Sequence, residues 1–227
     1  MNIFRLATTL GYGAFRALRN LIGIILLCVA PVMAQPVTVA ALGDSLTHGY
    51  GLPQGDGFVP QLQAWLEAEG GGVTVLNAGV SGDTTAGGLS RAGWTLTAEV
   101  DAMIVALGGN DVLRGIPPEE ARANLRGILQ AAAEAGVPVL LVGIAAPANY
   151  GPDYKADFEA IYPDLAEEFG TLMVPDFLDP VAERVANGTP RAELMQADGI
   201  HPNAEGVALI VAALGPKVLE LAGQARE

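Results

Sequence analysis

The chain has 227 residues, 51% of them apolar, with 12 Lys and Arg against 25 Asp and Glu. That length supports one domain with a substantial core and requires no second one. The acidic balance repels phosphate backbones and anionic membranes, which argues against nucleic-acid binding. At the N-terminus, Arg5, Arg16 and Arg19 precede an apolar run over residues 21–30, followed by Pro31 and Val32-Met33-Ala34-Gln35. The run is short for a bilayer span, and Val32 and Ala34 stand at −3 and −1 of a small-residue cleavage pattern. The expectation is an export signal over residues 1–34, cut after Ala34, with residues 35–227 acting in the periplasm. An uncleaved anchor is the other reading. Lipidation at Cys28 is disfavoured by the bulk of Leu27 before it. Cleavage would remove Cys28, three arginines and no acids, leaving nine basic and 25 acidic residues, a formal −16. Without cysteine, such a domain is held by packing alone.

From residue 37 onward, β-branched runs alternate with helical patterns. Strands are predicted over residues 37–42, 73–76, 102–107 and 137–144, with a weaker fifth over 171–174. Several are continuously apolar, as suits strands covered on both faces of a parallel sheet. Helical spacing marks residues 58–69, 118–135, 154–169 and 203–222. In the second of these, Ala121, Leu125, Ile128, Leu129 and Ala132 form one apolar face, with Pro118 at its start and Gly136 and Pro138 past its end. In the last, Val207, Ile210, Val211, Leu214, Val218 and Leu221 recur as a core-facing stripe. Strand–helix alternation with short connections predicts a three-layer α/β/α sandwich around a mainly parallel five-stranded sheet.

Ligands in such sheets bind beyond the carboxyl ends of the strands. Ser45 follows the first strand, Gly82 lies beyond the second, Asn110 beyond the third, and His201 precedes the final helix. A serine hydroxyl is a weak nucleophile until an imidazole takes its proton, and the imidazole works best with its tautomer fixed by a carboxylate. Asp198, three residues before His201, is placed to do this in a tight loop. Ser45, His201 and Asp198 therefore point to acyl transfer through an activated serine. His48, three residues past Ser45, is the competing base, but no acid stands to orient it. Asp44 is read as holding its loop, and Asp83 and Thr84 as tying down the Gly82 loop.

The run Gly43-Asp44-Ser45-Leu46 resembles the first block of the GDSL, or SGNH, hydrolases. Asn77-Ala78-Gly79-Val80-Ser81-Gly82-Asp83-Thr84, Gly108-Gly109-Asn110-Asp111 and Asp198-Gly199-Ile200-His201-Pro202-Asn203 are similar to its further blocks, in the same order. The stretches 107–115, 147–151 and 160–163 more narrowly resemble its bacterial periplasmic thioesterase, arylesterase and lysophospholipase branch. The resemblance implies an ester and thioester hydrolase with Ser45 as nucleophile, His201 as base and Asp198 as orienting acid. It further implies an oxyanion hole formed by the N–H groups of Ser45 and Gly82 and the side-chain amide of Asn110. Asp111 and Arg114 would lie on a loop that moves over substrate, and Leu113, Ile116, Ala146 and Pro147 would line the acyl site.

No cofactor is implied, and two distant histidines without cysteine lack the clustered ligands of a zinc hydrolase. The expected partner is a small acyl ester or thioester, taken by a monomer with no stable membrane insertion and no nucleic acid. Two rival functions remain open. One is an acyl or acetyl transferase, or a carbohydrate acetylesterase, since exclusion of water separates transfer from hydrolysis. The other is a non-catalytic, flavodoxin-like module whose loop after the first strand cradles a phosphate.

Overall fold

Five parallel strands in the order β2-β1-β3-β4-β5 make the sheet of this computed structural model, which describes residues 36–226. The expected signal, with Cys28 and the cleavage point after Ala34, lies outside the described residues. The strands are β1 (Val37–Gly43), β2 (Val73–Gly79), β3 (Ala102–Ala106), β4 (Val139–Val142) and β5 (Leu172–Val174). β3 and β4 are buried at every position, which is why their sequences run apolar without alternation. β2 is an edge, buried at Val73 and Val75 but open between them. There the Gln63 side chain stands in for a further strand, accepting from the Val75 N–H at 2.8 Å and donating to the Val73 carbonyl at 3.1 Å.

Nine α-helices follow in chain order: α1 (Ser45–His48), α2 (Phe58–Ala68), α3 (Thr85–Thr95), α4 (Gly109–Arg114), α5 (Pro118–Glu134), α6 (Pro152–Glu159), α7 (Ile161–Phe169), α8 (Asp179–Ala186) and α9 (Ala204–Gln224), all among the described residues. α2 and α9 pack together, with α8 against α9, while α5 packs against α3, α6 and α7, so helices cover both sheet faces. The chain is therefore a three-layer α/β/α sandwich. The five apolar positions read on α5 are the five it buries. Glu119 and Glu120 sit in its first turn, where the helix dipole favours negative charge. The stripe expected on α9 is buried too, which makes this 21-residue apolar helix part of the core.

Two expectations need correction. The single helix expected over residues 154–169 is broken at Ala160 into α6 and α7. Pro163 has no N–H to offer the Glu159 carbonyl, and its ring would crowd that carbonyl in a continuous helix. The fourth strand is shorter than residues 137–144, spanning Val139–Val142; past it, the Gly143 carbonyl accepts from the Phe177 N–H at 2.9 Å, beyond the end of β5.

The sheet order fixes where a ligand can enter. The chain leaves β1 in one direction for β2 and returns on β1's other side as β3, so the crevice opens at the carboxyl ends of β1 and β3. Arg91 of α3 ties this end together. It donates to the Gly43 carbonyl at 2.7 Å, the Ala78 carbonyl at 2.5 Å and the Asp83 carboxylate at 2.6 Å. Arg91→Met would remove a donor from three acceptors in a partly buried setting, of which the Gly43 carbonyl keeps the Val80 N–H at 3.0 Å. The expected loss is about 2–4 kcal/mol of unfolding free energy, read by chemical denaturation. A variant as stable as the parent would contradict the role given to this arginine.

Candidate active site

The turn out of β1 begins with Asp44, which is buried and caps α1 by accepting from the Leu46 N–H at 3.0 Å. That cap places Ser45 in the first turn of a four-residue helix, pointing across the sheet end. Against the same edge, the chain enters α9 through Asp198-Gly199-Ile200-His201. The Asp198 Oδ1 accepts from the N–H groups of Ile200 at 2.9 Å and His201 at 3.0 Å, curling the segment into a tight loop. Its Oδ2 meets His201 Nδ1 at 2.6 Å, and His201 Nε2 meets Ser45 Oγ at 2.8 Å. An ionised carboxylate only accepts, so Nδ1 carries the ring proton and Nε2 is free to accept from the serine hydroxyl. The imidazole hydrogen bond, then the two backbone bonds, hold the Asp198 carboxyl down at about 2. Asp198 thus stays an anion across the neutral range.

Two further contacts fix the histidine loop. Gln196 donates to the Tyr50 carbonyl at 2.8 Å and the Pro202 carbonyl at 3.0 Å, joining the segment after α1 to the segment before α9. The Tyr50 ring packs on the imidazole with centroids 4.9 Å apart. Sequence reasoning missed Arg91, Gln196 and Tyr50. Gln196 and Tyr50 work through backbone carbonyls and ring packing, and Arg91 mainly through backbone carbonyls beside its pair with Asp83, none of which carries a spacing signature.

Beside Ser45 lies a pocket of about 410 Å³ that Gly82, Asn110, Leu113, Pro147, Leu178 and Ile200 help to line. Gly82 closes a four-residue turn in which the Asp83 N–H bonds the Val80 carbonyl at 3.0 Å, and its φ is +84°. A side chain there would be strained, and this turn geometry orients the Ser81–Gly82 peptide. Gly108, with φ +126°, starts α4 against the Tyr162 hydroxyl, where a Cβ would sit 2.2 Å away. That turn presents Asn110, whose Nδ2 makes a long 3.4 Å hydrogen bond to Asp44 Oδ2. The N–H groups of Ser45 and Gly82 have no protein acceptor among the described residues. Three donors therefore border one pocket beside a hydroxyl in contact with an imidazole. Chemically, that arrangement suits attack on a carbonyl with stabilisation of the resulting oxyanion.

The other candidates are placed differently. Leu113 and Pro147 face the pocket. Asp111 does not: it is fully buried, with its carboxylate spent on the N–H and hydroxyl of Thr85, and burial raises its pKa. The expected mobile loop is in this structure the short helix α4, and Arg114 turns from its end to the Gly82 carbonyl at 2.7 Å. Ile116 is half-buried, its carbonyl held by the Tyr154 hydroxyl at 2.8 Å. Ala146 is buried, its N–H bound to Glu159 and its carbonyl to Lys155, and it borders an adjoining apolar groove with Val181, Val185 and Met195. His48 is exposed, 3.3 Å from the Ser81 hydroxyl and away from Ser45. Asp83 and Thr84 anchor the Gly82 loop through Arg91 and by capping α3.

Burial pushes the Asp44 carboxyl up to about 6, against the smaller opposing pull of the Leu46 N–H, His201 and the Asn110 amide. A raised carboxyl stabilises the fold below its unfolded value of 3.8 and loses that contribution as pH climbs to about 6. Asp44→Asn removes the dependence while keeping a helix cap. The melting temperature of this variant minus that of the parent should rise between pH 4 and pH 6 and level off above, by roughly 2 kcal/mol in equivalent stability. A difference that stays constant across that window would contradict the assignment.

The sequence profile of the GDSL-like lipase/acylhydrolase family matches residues 41–209. The chain is 42% identical to Esterase TesA of Pseudomonas aeruginosa over 180 residues, covering 77% of this chain and 86% of that protein. It is 39% identical to the Thioesterase 1/protease 1/lysophospholipase L1 of Escherichia coli K12 over 167 residues, 73% of this chain and 76% of the relative. Among solved structures, AlinE4, an SGNH-hydrolase family esterase, superposes with a TM-score of 0.67 at 42% identity, covering 83% of this chain and 97% of its own.

Proposed function

The chain belongs to the GDSL-like lipase/acylhydrolase family, and from that premise we propose that it cleaves carboxylic esters and thioesters of single acyl chains through an acyl-enzyme on Ser45. His201 Nε2 takes the Ser45 proton as Oγ attacks the substrate carbonyl. The resulting imidazolium is stabilised by Asp198 through Nδ1. The carbonyl oxygen, now an anion, is received by the N–H groups of Ser45 and Gly82 and the Asn110 amide. Collapse expels the alkoxide or thiolate, which takes the proton from Nε2. Water then enters by the same route in reverse order, releasing the acid and restoring the serine. The observation that carries this reading is the continuous contact from Asp198 through His201 to Ser45, at 2.6 Å and 2.8 Å.

The acyl part lies against Leu113, Pro147 and Leu178, and a long tail continues into the adjoining groove, which shares Ala145, Pro147 and Leu178 with the pocket. The acidic surface favours a substrate drawn singly from solution over firm attachment to anionic lipid. Export is inferred as well, with cleavage after Ala34 giving a periplasmic, monomeric enzyme of residues 35–227. Support comes from Arg5, Arg16 and Arg19, the apolar run at 21–30, and Val32 and Ala34. An intact mass starting at Gln35 in protein from the periplasmic fraction is the expected result. A mass that retains residues 1–34 contradicts it.

Ser45→Ala should abolish release of acid from an aryl ester, an acyl thioester and a lysolipid carrying the same chain. Asn110→Ala should lower kcat about a hundred- to a thousandfold while the protein stays folded. A serine-directed phosphonate should inactivate the enzyme and a chelator should not. Full activity in folded Asn110→Ala would remove that side chain from the oxyanion site, and activity in Ser45→Ala would end the proposal.

A further inference from the structure

The two segments that present the outer oxyanion donors belong to different strand ends, and α4 joins them at two points. At the inner point, Asp111 Oδ2 accepts from the Thr85 N–H at 2.8 Å and Oδ1 from the Thr85 hydroxyl at 2.6 Å. That hydroxyl in turn accepts from Asn124 Nδ2 at 3.1 Å, so its own proton is committed to Asp111. At the outer point, Arg114 donates to the Gly82 carbonyl at 2.7 Å. Residues 82–85 are thereby held at both ends by the helix that carries Asn110.

α4 is itself braced from behind. The Tyr154 hydroxyl holds the Ile116 carbonyl at 2.8 Å, and the Tyr150 hydroxyl approaches the Leu113 carbonyl at 3.4 Å. The strap therefore bears on the Gly82 side, where an exposed glycine has the widest choice of backbone torsions. Arg114 has no carboxylate partner among the described residues, so its guanidinium is free for this carbonyl.

We propose that Arg114 is a positioning residue which, with Asp111 as the buried end of the strap, sets the Gly82 N–H relative to the Asn110 amide. The proposal rests on the acyl-enzyme reading of the site. A donor displaced by a fraction of an ångström stabilises a developing oxyanion poorly while leaving ground-state binding nearly intact. The effect of loosening the strap therefore falls on turnover.

The experiment compares Arg114→Met, Arg114→Lys and the parent, with Ser45→Ala and Asn110→Ala as controls. It reads kcat and KM for a neutral aryl acetate, affinity for a boronic acid that forms a tetrahedral adduct on serine, and melting temperature. Arg114→Met should lose about tenfold in kcat with KM within about twofold, and bind the boronic acid about tenfold more weakly. Its melting temperature should match the parent's, because an exposed hydrogen bond contributes little to stability. Arg114→Lys, which returns one donor, should recover most of kcat. An unchanged kcat in Arg114→Met, a kcat loss with unaltered boronic-acid affinity, or a change confined to KM would each overturn the role. If Ser45→Ala or Asn110→Ala retained full activity, the acyl-enzyme reading would fail first, so the two failures are distinguishable.

Discussion

Everything at this site depends on one hydrogen-bonded line, Asp198 to His201 to Ser45, between groups 156 residues apart in sequence. Two local devices aim its ends. Asp44 caps α1 and sets Ser45 in its first turn, and Asp198 curls its own loop by taking two backbone N–H groups. One global device brings the ends together: the sheet order that places the β1 and β3 ends at the crevice, with the entrance to α9 returning to the same edge. Gln196 and Tyr50 then join the serine side to the histidine side directly. A displacement of about 1 Å between the reacting groups is worth orders of magnitude in rate, which gives these joints their importance.

Three aspartates near the crevice show how environment divides one residue type into separate tasks. Asp198 is open to solvent and its hydrogen bonds are spent on the charged form, so its carboxyl is held at about 2. Asp44 is buried, and that burial outweighs its hydrogen bonds and the pull of His201, so it is pushed up to about 6. Asp111 is buried with both oxygens bound to one threonine and serves as a structural tie. Opposed shifts among neighbouring carboxyls are a common sign that a site assigns them different roles. The basic groups are sparing by comparison: Arg114 donates to a backbone carbonyl, and Arg91 to two backbone carbonyls and the Asp83 carboxylate, all shaping the crevice.

Much of the fold was legible in the residues. Continuous burial along β3 and β4 leaves an unbroken apolar run in the sequence, and the faces of α5 and α9 leave a helical period. The residues that meet in the Asp198–His201–Ser45 line were legible because the chemistry proposed for them needs particular residue types in particular local turns. What escaped was set by single local events or by contacts distant in sequence. The short helices α1, α3 and α4 hold too few apolar positions, or too many glycines, for a period to emerge. The break at Ala160 required weighing one proline against a long helical pattern. Asp111 and Arg114 follow Asn110 and so looked like substrate ligands. Only the approach of residues 82–85 shows their side chains engaged elsewhere.

Trapping the covalent intermediate would test the serine chemistry at its source. The enzyme would be mixed with an aryl ester, quenched in acid within the first turnover, and digested for peptide mass spectrometry. One acyl group per chain on the peptide containing Ser45, absent from Ser45→Ala, is the expected result. Rapid turnover by the parent with no acylated peptide, or with the acyl group on another residue, would contradict it.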